Sequence, residues 1–381
     1  MLTTATAWLA VEAGAGFGVG VVLAARLLPS LLFGLVAGTL ADRYDRTRQL
    51  LAVSVAALPM MFALNRLAAS GSVPLWLLAL LTFATGCLTV FDVPARQALA
   101  IDVVPRTIAP NAMALNAAAT RLCTALGAFA GGVLIPAAGV AGCYVIVACA
   151  YAVAGGLVLA VRPPAAAHSG GARPGFFQAI VEGVRLIKDL PAVRTLVAAG
   201  VACEVFAFSF QTAVPVIARD VLRAGAEGLG TLSAAASIGG TAAVVLLSVL
   251  PGRVRREPFL GLVFVSYGVS MLALAGANSL AAAALVLVVT GACAAAFDLL
   301  QQTLLQLAVP EDQRGRAVGV WVLGIGTGPV GHLEMGSLVA GFGASSALIL
   351  NGLIVVVAAL ILLARVPLYR WSAPGLGPTR V

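Results

Sequence analysis

Five charges fall within seven residues, Asp42-Arg43-Tyr44-Asp45-Arg46-Thr47-Arg48, between two apolar runs that are each long enough to cross a bilayer, Val19 to Leu40 and Leu50 to Leu67. Such a cluster between bilayer-length segments has to sit in a tight turn at a membrane surface. Gly38, four residues before Asp42, would let the preceding helix approach another closely. Asp42 would sit where an acid can face the positive N-terminal end of a neighbouring helix. Composition extends the same constraint to the whole chain. Of 381 residues 61% are hydrophobic, 10% are charged and the mean hydropathy is +1.05. No soluble globular domain buries that much apolar surface, so the sequence specifies an all-α, polytopic membrane protein.

The net charge of +8 would point to nucleic acid in a soluble protein. Here it follows from arginines in loops on one side of a membrane, and no nucleic-acid partner is expected. The six cysteines (Cys87, Cys123, Cys143, Cys149, Cys203 and Cys293) all lie in apolar runs without C-x-x-C spacing, and read as small packing residues. With only His168 and His332 besides, and no phosphate-binding loop, neither a metal, a cofactor nor an enzymatic activity is expected.

The apolar runs place helices near 18–41, 49–68, 73–97, 110–136 and 139–161, then near 191–218, 227–250, 258–277, 279–305, 314–341 and 344–364. Residues 1–13 are apolar too, but Gly14-Ala15-Gly16-Phe17-Gly18 follows too soon for a full span. No basic segment or A-x-A cleavage site marks them as a signal peptide. The organisation expected is an N-terminal bundle over 1–161, a linker over 162–190, a C-terminal bundle over 191–365 and a tail over 366–381. The linker begins with a Pro/Gly-rich joint, and Phe176, Phe177, Ile180, Val184 and Ile187 then share one face of an amphipathic helix, expected along the membrane surface.

An internal repeat supports two halves. Gln97-Ala98-Leu99 with Val104-Pro105 recurs as Gln302-Thr303-Leu304 with Val309-Pro310, and at that shift Gly131 meets Gly336. Phe91-Asp92 recurs as Phe297-Asp298. Leu40 to Arg46 matches Leu250 to Arg256, keeping Arg43 and Arg46 as Arg253 and Arg256 while Gly252 replaces Asp42. Basic residues cluster after helices 2, 4, 8 and 10, in the linker and in the tail. Only Arg26, Arg66, Arg121, Arg219 and Arg223 fall within spans or on the other side. By the positive-inside rule, both ends of the full-length fold then face the cytoplasm.

Ionisable groups inside spans cost roughly 2.5–3.5 kcal/mol on insertion scales, so each is a functional candidate. They are Glu12, Arg26, Asp92, Arg121, Glu204, Asp298, His332 and Glu334. Glu204 shares a helical face with Phe208 and Gln211. A carboxyl there is costly when ionised and can trade a proton for a substrate, or it can bond to a neighbouring helix as packing. His332 and Glu334 stand in a Gly/Pro-rich helix able to bend, on different faces of it.

The run Gly38 to Arg48, G-x-x-x-D-R-x-x-R-x-R, resembles the signature loop of the major facilitator superfamily, between its second and third helices. The resemblance implies that superfamily's fold of two six-helix halves, about twelve transmembrane helices, with helix 1 here lacking its N-terminal part. A misassigned start or a true truncation would account for the missing part, and about 15–25 further residues would complete the span. It also implies a charge relay of Asp42, Arg46 and Asp92, with Arg256 and Asp298 as a weaker second copy. The alternative for Asp92 and Asp298 is acids snorkelling from the cytoplasmic ends of helices 4 and 10. Arg121 precedes Cys123-x-x-x-Gly127-Ala128-x-x-Gly131-Gly132, which resembles the antiporter motif of drug–proton exchangers but departs from it at Cys123 and Ala128. Pro94-Ala95-Arg96-Gln97-Ala98 and Val309-Pro310-Glu311-Asp312-Gln313-Arg314-Gly315-Arg316 resemble the macrolide-efflux and enterobactin-exporter branch. What this implies is a monomeric, proton-coupled exporter of a moderately lipophilic small molecule in the plasma (inner) membrane of a bacterium, working by alternating access. Import by symport and a non-transporting sensor or scaffold are the alternatives.

Overall fold

A computed structural model describes residues 1–43, 45–105, 108–161, 187–249, 256–310 and 313–365. The linker before Ile187, Arg253 and the tail lie outside them. For the end of the second helix, including Gly38, Asp42 and Arg43, and for Arg256, only the backbone is described.

Among the described residues, nine helices are long and apolar enough to cross a membrane. Two of them are double. The helix Leu2–Arg43 breaks at Gly14 and Ala15, dividing into α1 (2–13) and α2 (16–43). Ala15 takes φ +47° and ψ −139°, a region that favours glycine, so the sharp turn here carries strain. Similarly, Ala109–Ala160 breaks at Gly139, with φ +69°, into α5 (109–138) and α6 (140–160). Between these pairs lie α3 (Arg46–Ala69) and α4 (Leu75–Asp102).

The second half holds α7 (191–221), α8 (Gly225–Val249), α9 (Arg256–Ala275), α10 (Leu280–Leu307), α11 and α12 (Ala344–Arg365). α11 is two pieces, Arg314–Ile325 and Gly328–Phe342, separated by the turn Gly326-Thr327, with Pro329 fitting the first turn of the second piece. The expected spans therefore hold to within about three residues at their ends, except that α4 runs on to Asp102. Asp92 and Asp298 sit ten and nine residues inside α4 and α10, roughly 14–15 Å from the helix ends where they were expected.

Loops α2–α3, α4–α5, α8–α9 and α10–α11 share one end of the bundle, here the basic end. At the far end the two halves meet at two helix crossings. α2 meets α11 where Gly20 lies against Gly336, and α5 meets α8 where Gly132 lies against Gly230. A Cβ on Gly132 would fall 2.5 Å from the Gly230 Cα, and one on Gly20 would fall 2.9 Å from the Gly336 Cα. Only hydrogen fits, so backbone packs on backbone and maximises dispersion contact where lipid supplies no hydrophobic drive. Toward the basic end α5 and α8 part around an apolar cleft of about 620 Å³, lined by Leu122, Ala125, Ile238, Thr241 and Val245.

The far end also carries a polar tie. The Arg219 guanidinium, held by Asp220 at 2.6 and 3.0 Å, donates to the Val11 carbonyl at the end of α1 across 2.5 Å. It thus joins α7 to the other half. Arg219→Ala is expected to weaken closure by about 1.5–3 kcal/mol, the range of a charge-assisted hydrogen bond. Thiol labelling of a reporter cysteine beneath the Gly20–Gly336 crossing should accelerate about fivefold or more; an unchanged rate would mean that the bond does not hold the halves together.

Candidate functional site

Between the halves lies a cavity of about 770 Å³. The first half lines it with residues of α1, α2, α4, α5 and α6, including Arg26, Thr89, Arg121 and Tyr151. The second lines it from α7, α8, α10 and α11, including Gln211, Ser237, Asp298 and His332. Polar groups therefore converge in an otherwise aliphatic and aromatic chamber, as at small-molecule sites generally.

Local packing fixes where these groups point. The α2 backbone at Arg26 and the Pro29 ring press on Gly86 of α4, where a Cβ would meet the Arg26 carbonyl. That contact sets the height of Arg26 on the wall, and its Nη1 donates to the Thr3 hydroxyl at 2.6 Å. His332, only 4% exposed, pairs its Nδ1 with the Thr212 hydroxyl at 2.8 Å, so α7 orients the ring. Arg121 of α5 and Asp298 of α10 line the cavity from opposite halves with opposite charges.

α7 departs from regular helix where Glu204 sits. Residues Cys203–Ala207 form a π-helical turn, closed by the Phe208 N–H donating to the Cys203 carbonyl at 2.8 Å, and a second such turn covers Ile217–Val221. Such turns insert an extra residue and recur at functional sites. Here the bulge presents Glu204 to the break in α11, where its Oε2 lies 3.4 Å from where a Cβ on Gly328 would be. Asp298 is within its electrostatic reach as well.

The remaining candidates fall elsewhere. Glu334 accepts a hydrogen bond from Asn351 Nδ2 at 3.0 Å, and Asn351 is fully buried with Ser209 at 3.4 Å, so this trio ties α11, α12 and α7 together. Glu12 is exposed at the end of α1, and neither it, Glu204 nor Glu334 is on the described cavity wall. Gly127 and Gly131 lie against Met1 and Thr4 of α1, while Gly132 makes the crossing to α8.

At the basic end the residues expected to form a relay include these described pairs. Arg46 pairs with Asp102 in the last turn of α4, whereas Asp92 is held by Arg96 at 3.3 Å, which also reaches the Thr120 hydroxyl of α5 at 3.1 Å. Asp45 caps α3 by accepting from the Arg48 N–H at 3.0 Å, a role its position just before the apolar run signals.

Sequence reasoning passed over Gly20 and Gly230. The repeat could have found them: the offset relating Leu40 to Leu250 also carries Gly20 onto Gly230. The two crossings, Gly20 with Gly336 and Gly230 with Gly132, thus join corresponding helices of the two halves, with Gly132 one residue past the repeat partner of Gly336.

Two similar bundles closed on each other at one end, around a chamber with few charged groups, define a membrane transporter of the major facilitator type. The chain belongs to the transmembrane secretion effector family, whose model matches residues 1–378. Solved structures agree on the fold. A point mutant of the nucleoside transporter NupG is 12% identical with a TM-score of 0.75, covering 95% of this chain and 94% of its own. A bacterial homologue of the human lysosomal transporter Spinster, in an inward-facing and unoccupied conformation, is 15% identical with a TM-score of 0.66, over 96% and 94%. A POT-family transporter in complex with 5-aminolevulinic acid is 11% identical with a TM-score of 0.73, over 96% and 93%. No curated protein sequence matches the chain.

Proposed function

We propose that this transporter is a proton-driven exporter of moderately lipophilic small molecules in the plasma (inner) membrane of a bacterium. Its basic end faces the cytoplasm, and the conformation described is the cytoplasm-open one. The observation that carries the reading is the asymmetry of closure: backbone-tight glycine crossings seal the far end, while α5 and α8 part toward the basic end. Arginine loops at the open end set the direction by the positive-inside rule. The six-helix halves, 1–161 and 191–365, rock as a monomer, so that these crossings part and re-form in each cycle.

Protons are assigned to Glu204. It lies at a backbone irregularity between Asp298 and the break in α11, where a change of charge bears on both the cavity and a bendable helix. Glu334 serves as glue through Asn351. Export requires the basic end to close as well, and the loop Asp42 to Arg48, with the Arg46–Asp102 pair, belongs to the gate.

Two measurements test this. Cells expressing the protein should exclude members of a lipophilic dye panel, and a protonophore should abolish exclusion; protonophore-insensitive efflux, or proton-driven accumulation, would contradict the reading, the second in favour of import. Asp42→Asn and Arg46→Ala should each cut efflux about tenfold or more at normal membrane levels, because loop contacts that differ between the two states bias the equilibrium by their differential energy. Near-normal efflux in both variants would reduce the loop to a topological anchor.

A further inference from the structure

The charges on the cavity wall do not balance. Arg26 and Arg121 face inward from the first half, but the wall's only carboxylate among the described residues is Asp298, on the second half. The ion pairs among the described residues are Arg46 with Asp102, Arg96 with Asp92 and Arg219 with Asp220, and none of them includes Arg26. Its hydrogen-bond partner is the Thr3 hydroxyl. A guanidinium carries five N–H donors in a rigid fork. Leaving most of them unmatched at membrane depth is expensive, and a planar acid group that accepts two parallel bonds is the ligand that best relieves the cost.

Resting on the reading of this cavity as the substrate chamber, we propose that the ligand is an amphipathic organic acid whose carboxylate docks on Arg26. Its apolar body lies against the aliphatic and aromatic wall of the second half. Tyr151 lines the same cavity and can donate to the acid group. Phe208, Phe210 and Leu232 supply apolar surface opposite. The packing of α2 on Gly86 holds Arg26 at a fixed height, so the acid group is positioned before the body is accommodated.

The test compares three probes of one shape, 1-pyrenebutyrate, 1-pyrenebutanol and 1-pyrenebutylamine, by fluorescence titration of the full-length protein in detergent. Wild-type protein is expected to bind the carboxylate about tenfold or more tightly than the alcohol, and the amine least well. Arg26→Gln should erase the preference for the carboxylate while leaving alcohol binding in place, which also reports that the variant is folded. Arg26→Lys should keep part of it, as a charge without the fork geometry. Equal binding of acid and alcohol, strongest binding of the amine, or a preference surviving in Arg26→Gln would each overturn the assignment. Counterflow of the bound probe in proteoliposomes is read separately: binding with the expected selectivity but no counterflow upholds the Arg26 site and counts against export.

Discussion

Replacing Gly132 with leucine is expected to stop transport almost completely while the protein still inserts. A Cβ at Gly132 falls 2.5 Å from the Gly230 Cα and 3.0 Å from the Ala226 carbonyl, both backbone atoms that no rotamer change can move aside. Leucine adds four heavy atoms there, so α5 and α8 must separate and the far end must open. Alternating access needs that end to close once per cycle. A wedge that excludes the closed state lowers turnover by the ratio of lost population, here about a hundredfold or more. Gly336→Leu should do the same at the repeat-related crossing with Gly20. Gly156→Leu, on an exposed face of α6 with open space around it, is the control that should transport normally. Efflux assays with thiol labelling of a cavity cysteine from the far side check this, and active transport by Gly132→Leu would show that the crossing is not the gate.

Glu204→Gln has the second largest expected effect, and a different character. Glutamine keeps the shape of the protonated carboxyl but cannot ionise. If the proton travels on Glu204, substrate still binds and exchanges down its own gradient, while uphill movement driven by a pH gradient disappears. Glu334→Gln should leave coupling intact, because its place beside Asn351 is preserved by an amide that can still accept the bond. Loss of both transport modes in Glu204→Gln would mark a structural defect instead.

How far the sequence announced this structure differs between levels. Spans were legible because each needs about twenty apolar residues, and the breaks at Gly14 and Gly139 showed as glycine within otherwise continuous runs. Facing was not legible. In lipid both sides of a helix are apolar, so the pattern that marks the buried side of a soluble helix fades. Depth was only partly legible: Asp92 was set at the end of its helix because the apolar run stops near residue 97, although α4 continues to Asp102. The π-helical turn at Glu204 has no compositional mark, since Cys203 to Ala207 reads as ordinary helix. The close crossings were half legible: glycine at 131–132 and 336 stood out, yet their partners Gly20 and Gly230 emerge only once the repeat is applied to α2 and α8.

The most direct measurement of proton-driven export uses purified protein in liposomes with an imposed pH gradient and a substrate drawn from the dye panel. Wild-type protein should concentrate the dye against its gradient on the acidic side, lose that ability when an ionophore collapses the pH difference, and retain passive exchange. Glu204→Gln should show exchange alone. Accumulation that persists without a pH difference, or uphill movement by Glu204→Gln equal to wild type, would contradict a proton-driven mechanism carried by that carboxyl.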